Sequence, residues 1–195
     1  MVSSKEKSLV DLPKTDTHLR ETLVSSDDAY QGQFLTLKKD IVSLPDGKET
    51  YREYLIHPGA VAIIPILNDG RILLERQFRY PVDKAMIEIP AGKLEVGEDP
   101  LFCAQRELLE ETGYSANEWE YLGKIHPVIS YSTEFIAIFL AKGLQRGERC
   151  LDEGEFLDVF AATLDEMHQW IADGNITDVK TIIAVYHLAK RLKQA

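Results

Sequence analysis

A glycine at position 92, a glutamate six residues later, and the run Arg106-Glu107-Leu108-Leu109-Glu110-Glu111-Thr112-Gly113 tie a loop and a helix into one unit. Asp99 has the side chain of an N-cap, Pro100 fits the first helical position, and Gly113 fits the position where a left-handed residue ends a helix. Inside that helix Glu107, Glu110 and Glu111 fall at i, i+3 and i+4 and share one face. Like charges at this spacing repel and weaken the helix. A divalent cation turns the repulsion into attraction, and hard carboxylate oxygens suit Mg²⁺, with Mn²⁺ as the alternative. For the bare triplet the more usual reading is an ordinary solvated helix face, with Arg106 paired to Glu110 at i+4.

The full string decides between them. It fits G-x5-E-x7-R-E-U-x-E-E-x-G-U, where U is a bulky apolar residue and Tyr114 stands where an aliphatic residue is usual. It resembles the Nudix box of the Nudix hydrolases. The resemblance implies a metal site with Glu107 and Glu111 as main ligands, Glu110 alongside, the backbone carbonyl of Ala91 as a further ligand, and Glu98 completing or supporting the set. It implies an orienting role for Arg106 as ion-pair partner, and counts Arg106 and Glu110 with the catalytic apparatus. Gly92 would allow a tight loop turn.

A base must also take or position the proton of the attacking water. In relatives of the ADP-ribose pyrophosphatase type it is a glutamate on a mobile loop well after the box. The matching stretch is Leu151-Asp152-Glu153-Gly154-Glu155-Phe156, with Glu153 aligned to that role and Glu155 the near alternative. The same relatives imply substrate contacts from Arg79 and Arg52, and from Tyr131 and Glu134 in the loop after the box. Arg76 reads as a solvated strand residue. Many such enzymes carry Ser-Pro-Gly in that loop; here it reads His126-Pro127-Val128-Ile129-Ser130-Tyr131-Ser132-Thr133-Glu134. The departure leaves the sugar open.

The chain has 195 residues, 45% of them apolar, enough for one generous domain or a domain with an appendage. Its 22 basic and 32 acidic residues give a net charge of −10, which disfavours nonspecific nucleic-acid binding. The N-terminal sequence has no continuous apolar run of the kind a signal peptide needs, and no segment has the length to span a bilayer. Two cysteines, Cys103 and Cys150, imply no disulfide framework, and Cys103 reads as a small packed residue. A reducing, cytoplasmic setting is the simplest expectation. The five histidines form no ligand cluster by spacing; His57 and His126 border strands, and Trp119 and Trp170 read as structural.

Residues 1–20 read as a loosely ordered tail. Two strand-like runs, 33–44 and 50–57, flank a Pro45-Asp46-Gly47 turn and form a hairpin. A second hairpin turns at Asn68-Asp69-Gly70, and its first strand, AVAIIPIL, is apolar at nearly every position, as for a strand buried on both faces. Later strand-like runs start at Trp119 and at Phe135. Thr163-Leu164-Asp165-Glu166 opens a helix that stops at Gly174, and a last helix from about Thr177 carries Ile182, Val185, Tyr186 and Ala189 toward the core.

The expected architecture is α/β: a Nudix α/β/α sandwich with a mixed sheet over residues 58–195, and a small N-terminal antiparallel β subdomain over 1–57. The resemblance further implies a homodimer built partly on that subdomain and a small-molecule nucleotide-sugar substrate, with no nucleic-acid or membrane partner. The implied reaction is Mg²⁺-dependent hydrolysis of ADP-ribose to AMP and ribose 5-phosphate, with GDP-mannose or ADP-glucose as alternative substrates. Some Nudix domains have instead become non-catalytic ADP-ribose sensors. Those carry a damaged box and a DNA-binding appendage, whereas every box carboxylate is present here and basic clustering is confined to Lys190-Arg191-Leu192-Lys193.

Overall fold

The computed structural model describes residues 15–151 and 153–192. The first part of the expected tail, Asp152 and Lys193 lie outside them. The described chain divides into two compact units between Ile56 and His57, one residue before the expected boundary. His57 belongs with the second unit: its N–H donates to Thr133 Oγ1 at 2.9 Å, and its Nδ1 accepts from Gly59 N at 3.1 Å.

The first unit is a three-stranded antiparallel sheet of β1 (Thr22–Gln31), β2 (Thr36–Ser43) and β3 (Glu49–Ile56), in that order. The expected hairpin is the β2–β3 pair, closed where Leu44 N donates to Lys48 O at 2.8 Å and Gly47 takes φ +82°. β1 is an addition to what the sequence announced. Its residues, TLVSSDDAYQ, are exposed along the whole strand. With no buried face there is no apolar alternation to reveal it. Backbone pairing to β2 and an ion pair from Lys38 Nζ to Asp28 at 2.5 Å hold it.

The second unit runs β4 (Ala60–Pro65), β5 (Ile72–Arg79), β6 (Lys84–Glu88), β7 (Ala91–Lys93), α1 (Pro100–Thr112), β8 (Tyr114–Ile125), β9 (Ile136–Arg146), β10 (Leu157–Ala162), α2 (Leu164–Ala172) and α3 (Val179–Leu192). One sheet has the order β7-β4-β9-β8, with β4 and β9 parallel and the outer pairs antiparallel. The other is antiparallel, β10-β5-β6. All six residues of β4 are buried, as its unbroken apolar run requires. Alternate residues serve two cores. Ala60, Ala62 and Ile64 pack with Ile72, Leu74, Ile138, Met167 and Val185, whereas Val61 and Ile63 pack with Cys103, Ala104 and Leu108 of α1. The first sheet thus carries α1 on one face and the second sheet with α2 and α3 on the other, a mixed α/β/α arrangement.

Helix ends match the sequence closely. Asp99 Oδ1 accepts from Leu101 N at 2.9 Å, and Gly113, φ +74°, donates its N–H to Leu109 O. Thr163 and Glu166 form the reciprocal capping box of α2. The strand expected from Trp119 begins earlier, at Tyr114, directly after the Gly113 turn. In α3 the buried stripe is Thr181, Ala184, Val185 and Leu188, with Ile182 packed beside it. Tyr186, expected inward, is 64% exposed because it lies one position past the i, i+3, i+4, i+7 stripe. Among the described residues no helix is long and apolar enough to cross a membrane.

Candidate active site

α1 is anchored by apolar residues and presents its carboxylates from the same anchored region. Cys103, Ala104 and Leu108 are completely buried against β4 and β9, and Leu108 alone contributes about 1.5–3 kcal/mol by leaving water. Glu111 is drawn in with them, to 4% exposure. Glu107 and Glu111 therefore point into the protein and the solvated-face reading does not hold for them, although the Arg106–Glu110 pair it expected is present. Burial also explains the Cys103 thiol, pushed up to about 12, with Glu98 adding to the effect.

Arg106 compensates this charge. Its guanidinium reaches Glu98 Oε1 at 3.1 Å, Glu107 Oε1 at 2.9 Å and Glu110 Oε2 at 2.9 Å. The Arg106 bond is the main reason the Glu98 carboxyl is held down to about 2, and Arg106 itself is raised by the same partner. Glu107 behaves differently. Burial raises its carboxyl, and the Arg106 ion pair offsets this only in part. At that position desolvation outweighs the salt bridge.

Gly92 has a role other than the turn expected of it. It lies within β7, and a Cβ built there would overlap the carboxyl carbon, Oε1 and Cγ of Glu107. The glycine makes room for a carboxylate. Next to it, Ala91 N–H donates to Glu111 Oε2 at 3.1 Å, so the residue whose carbonyl was assigned to the metal also fixes the second carboxylate.

The opposite wall comes from β5 and β6, with residues that lie outside the box motif. Period two puts Glu75, Gln77 and Arg79 on one side of β5. Glu75 is 2% exposed and its carboxyl is hydrogen-bonded to that of Glu111. Both carboxyls are raised, each first by burial and then by neighbouring carboxylates, so the pair retains a proton well above the ordinary carboxylate range. Across the ladder Glu75 faces Glu88, and like charges so placed oppose each other. Arg79 Nε and a terminal nitrogen grip Glu88 at 2.7 and 2.9 Å, and buried Lys180 of α3 pairs with the same carboxylate. Burial pushes Glu88 up, but these two cations outweigh it and its carboxyl ends below the ordinary value. Acidic and basic residues at alternate positions of an otherwise buried strand were the available signal for this wall.

The other expected site residues are spread more widely. Gln77 Nε2 donates to Glu155 at 3.2 Å, and the Glu155 charge acts on Glu75, Glu107 and Glu111. Glu153 is exposed, across Gly154 at φ +85°. Glu134 lies 3.9 Å from His57 Nε2, and Tyr131 is 53% exposed. Arg52, in the first unit, is held by both oxygens of Glu21 at 3.0 and 2.5 Å. Arg76 is exposed, as its solvated reading has it.

These donors fit a hard divalent cation. They are oxygens, mostly carboxylate, gathered beside a cradle that only glycine leaves open, and they stand under mutual repulsion that a cation relieves. Among the described residues no group of three or more His, Cys, Asp or Glu side chains already converges as a ligand cage. Arg106 occupies Glu107 and the Ala91 N–H occupies Glu111.

Comparison with known proteins agrees with this geometry. The NUDIX domain profile matches residues 56–184, and that of the nucleoside diphosphate sugar hydrolase N-terminal domain matches residues 21–55. A protein of Bacillus methanolicus named methanol dehydrogenase activator is 44% identical over 170 residues, 86% of this chain and 92% of that protein. The ADP-ribose pyrophosphatase of Bacillus subtilis is 37% identical over 179 residues, 91% of this chain and 96% of that one. A crystal structure of an ADP compounds hydrolase superposes with a TM-score of 0.81, covering 90% of this chain and 96% of its own at 24% identity, which speaks for the fold. The chain belongs to the NUDIX domain family of hydrolases, with the nucleoside diphosphate sugar hydrolase N-terminal domain preceding it.

Proposed function

We propose that this chain hydrolyses the pyrophosphate bond of ADP-ribose to AMP and ribose 5-phosphate with Mg²⁺, Mn²⁺ being able to substitute. The observation that carries the reading is the buried carboxylate pair Glu107 and Glu111, set against Gly92 and Ala91. Glu107, Glu111 and the Ala91 carbonyl would hold the metal, with Glu110 alongside. When bound, it neutralises the diphosphate and makes a coordinated water a better nucleophile. Arg106 and Glu98 hold the ligand carboxylates in orientation. Arg79, fixed by Glu88, which Lys180 also holds, presents a guanidinium to the anionic substrate. The proton of the attacking water passes to a carboxylate of the 153–155 loop. Glu155 is the one beside the cluster in this conformation, and the Gly154 hinge lets Glu153 exchange with it.

Tyr131 and Glu134 complete the substrate contacts in this reading. The assembly is a homodimer in the cytoplasm, acting on a small molecule and without nucleic acid or membrane. Support for the dimer is the open β1 edge, where Leu23, Val24 and Tyr30 are exposed.

The test is chromatographic. Purified protein and Mg²⁺ meet equal amounts of ADP-ribose, ADP-glucose, GDP-mannose, diadenosine polyphosphate and NADH, with Glu111→Gln as control. NADH belongs in the mixture because the 44% identical relative is named for its effect on a dehydrogenase. Preferential loss of ADP-ribose with AMP appearing supports the reading. Loss of another member keeps the chemistry and reassigns the substrate. Binding of ADP-ribose without turnover moves the assignment to a sensor.

A further inference from the structure

Glu75 is the most heavily buried carboxylate of this region, 2% exposed, in the wall facing Glu111. Its carboxyl is hydrogen-bonded to that of Glu111, and no backbone or cationic donor among the described residues reaches its Oε1. Buried carboxylate oxygens are ordinarily paired, because leaving one bare forfeits its hydration without return. The cations that serve the facing Glu88 do not supply the missing partner: Arg79 and Lys180 both bond to Glu88. Glu75 also stands in the field of Glu155 and Glu88, which outweigh the opposing charge of Arg79. A buried carboxyl oxygen with no donor reaching it, beside Glu111, is what a site for a hard cation leaves behind when only protein atoms are counted.

We propose that Glu75 is an additional ligand, direct or through one bound water, for the divalent cation held by Glu107 and Glu111. This rests on the reading of those two residues as metal ligands. The metal centre of this chain then draws a carboxylate from β5 that the box pattern does not contain. Mg²⁺ takes six oxygens in near-octahedral array. Glu107, Glu111 and the Ala91 carbonyl supply three, which leaves places for Glu75, water and substrate phosphate. The position of Glu75 on β5 matters, because Gln77 two residues on holds Glu155. One strand would thus link the metal to the carboxylate loop.

The experiment measures metal rather than turnover. Mn²⁺ binding is monitored by electron paramagnetic resonance and Mg²⁺ binding by calorimetry, for the full chain and its Glu75→Gln and Glu111→Gln variants. Melting is recorded in EDTA and in Mg²⁺. Glu75→Gln is expected to weaken metal binding by about 10- to 100-fold, or to remove one bound ion. Its melting temperature in EDTA should equal or exceed that of the unaltered chain, and the rise on adding Mg²⁺ should shrink. Unaltered chain that binds no metal overturns the reading of Glu107 and Glu111 together with this one. Metal binding lost in Glu111→Gln but unchanged in Glu75→Gln overturns the Glu75 assignment alone. So does a lower melting temperature in EDTA with an undiminished Mg²⁺ shift, the mark of a structural carboxyl. If Glu75→Gln does not fold, Glu75→Asp keeps the charge and withdraws it by one methylene. Affinity for metal unchanged in that variant overturns the assignment equally.

Discussion

The carboxylate of Glu107 occupies the space in which any side chain at position 92 would begin. The atoms in the way are the far end of a flexible side chain, so Gly92→Ala can be accommodated if Glu107 swings out. The backbone there needs no left-handed conformation, so strain adds nothing. Gly92→Ala should therefore fold, with a stability loss at the low end of the about 1–3 kcal/mol typical of overpacking. Metal affinity and turnover should fall by about 10- to 100-fold or more. Calorimetric Mg²⁺ titration beside a urea melt separates the two effects. A variant that keeps full metal affinity would remove Glu107 from the ligand set.

Arg106 bonds three carboxylates at once, and Lys has no fork with which to replace it. Arg106→Met should cost about 1–3 kcal/mol in EDTA, since Glu98 and Glu107 lose their shared partner. Added Mg²⁺ should narrow the gap to the unaltered chain, because a bound cation supplies the missing charge. Arg106→Lys should fall between the two. Urea melts with and without Mg²⁺ read this directly. A gap that widens on adding Mg²⁺ would mean that Arg106 supports metal binding more than it replaces it.

The ends of α1 and α2 were legible because capping is local: Asp99, Gly113, Thr163 and Glu166 act within a few residues of where they stand. β4 was legible because burial on both faces leaves an unbroken apolar run. β1 was not, since it is held by backbone pairing and an exposed ion pair and buries no face that an apolar pattern could mark. In the site, the box carboxylates belong to one contiguous motif. Glu75, Glu88 and Lys180 come from three separate elements, and only the β5–β6 register and the placement of α3 bring them together. Tyr186 shows the limit of helical periodicity, which gives the stripe but leaves its edge open by one residue.

The loop acid separates by substitution. Glu155 carries a hydrogen bond from Gln77 and its charge reaches the cluster, whereas Glu153 is exposed. Glu155→Gln should lower kcat by about 100-fold or more if it takes the proton in the chemical step, with Mg²⁺ affinity nearly unchanged. Glu153→Gln should change kcat little. The reverse pattern, measured by steady-state kinetics on ADP-ribose, would show that the loop turns about Gly154 before reaction and delivers Glu153.

Stability in the absence of metal should fall as pH rises. Glu75 and Glu111 both lie above the ordinary value of 4.5, each raised first by burial and then by acidic neighbours, Glu155 and Glu88 at Glu75 and Glu75, Glu107 and Glu155 at Glu111. Between 4.5 and their raised values the folded chain holds protons that the unfolded chain has released. The slope of unfolding free energy with pH tracks the protons bound unfolded minus those bound folded, so it is negative there. One extra proton corresponds to at most about 1.4 kcal/mol per pH unit. Glu98 works in the other direction and in another window: depressed to about 2, it contributes above 4.5 and is lost only as pH falls below that. In EDTA the melting temperature should therefore decline from about pH 6 to about pH 9. In Mg²⁺ the decline should lessen or reverse, because the cation binds ionised carboxylates and gains affinity as they deprotonate. Glu75→Gln should flatten the EDTA curve, since it removes one of the two carboxyls and the largest charge acting on the other. A flat EDTA curve in the unaltered chain would mean that Glu75 and Glu111 share no proton.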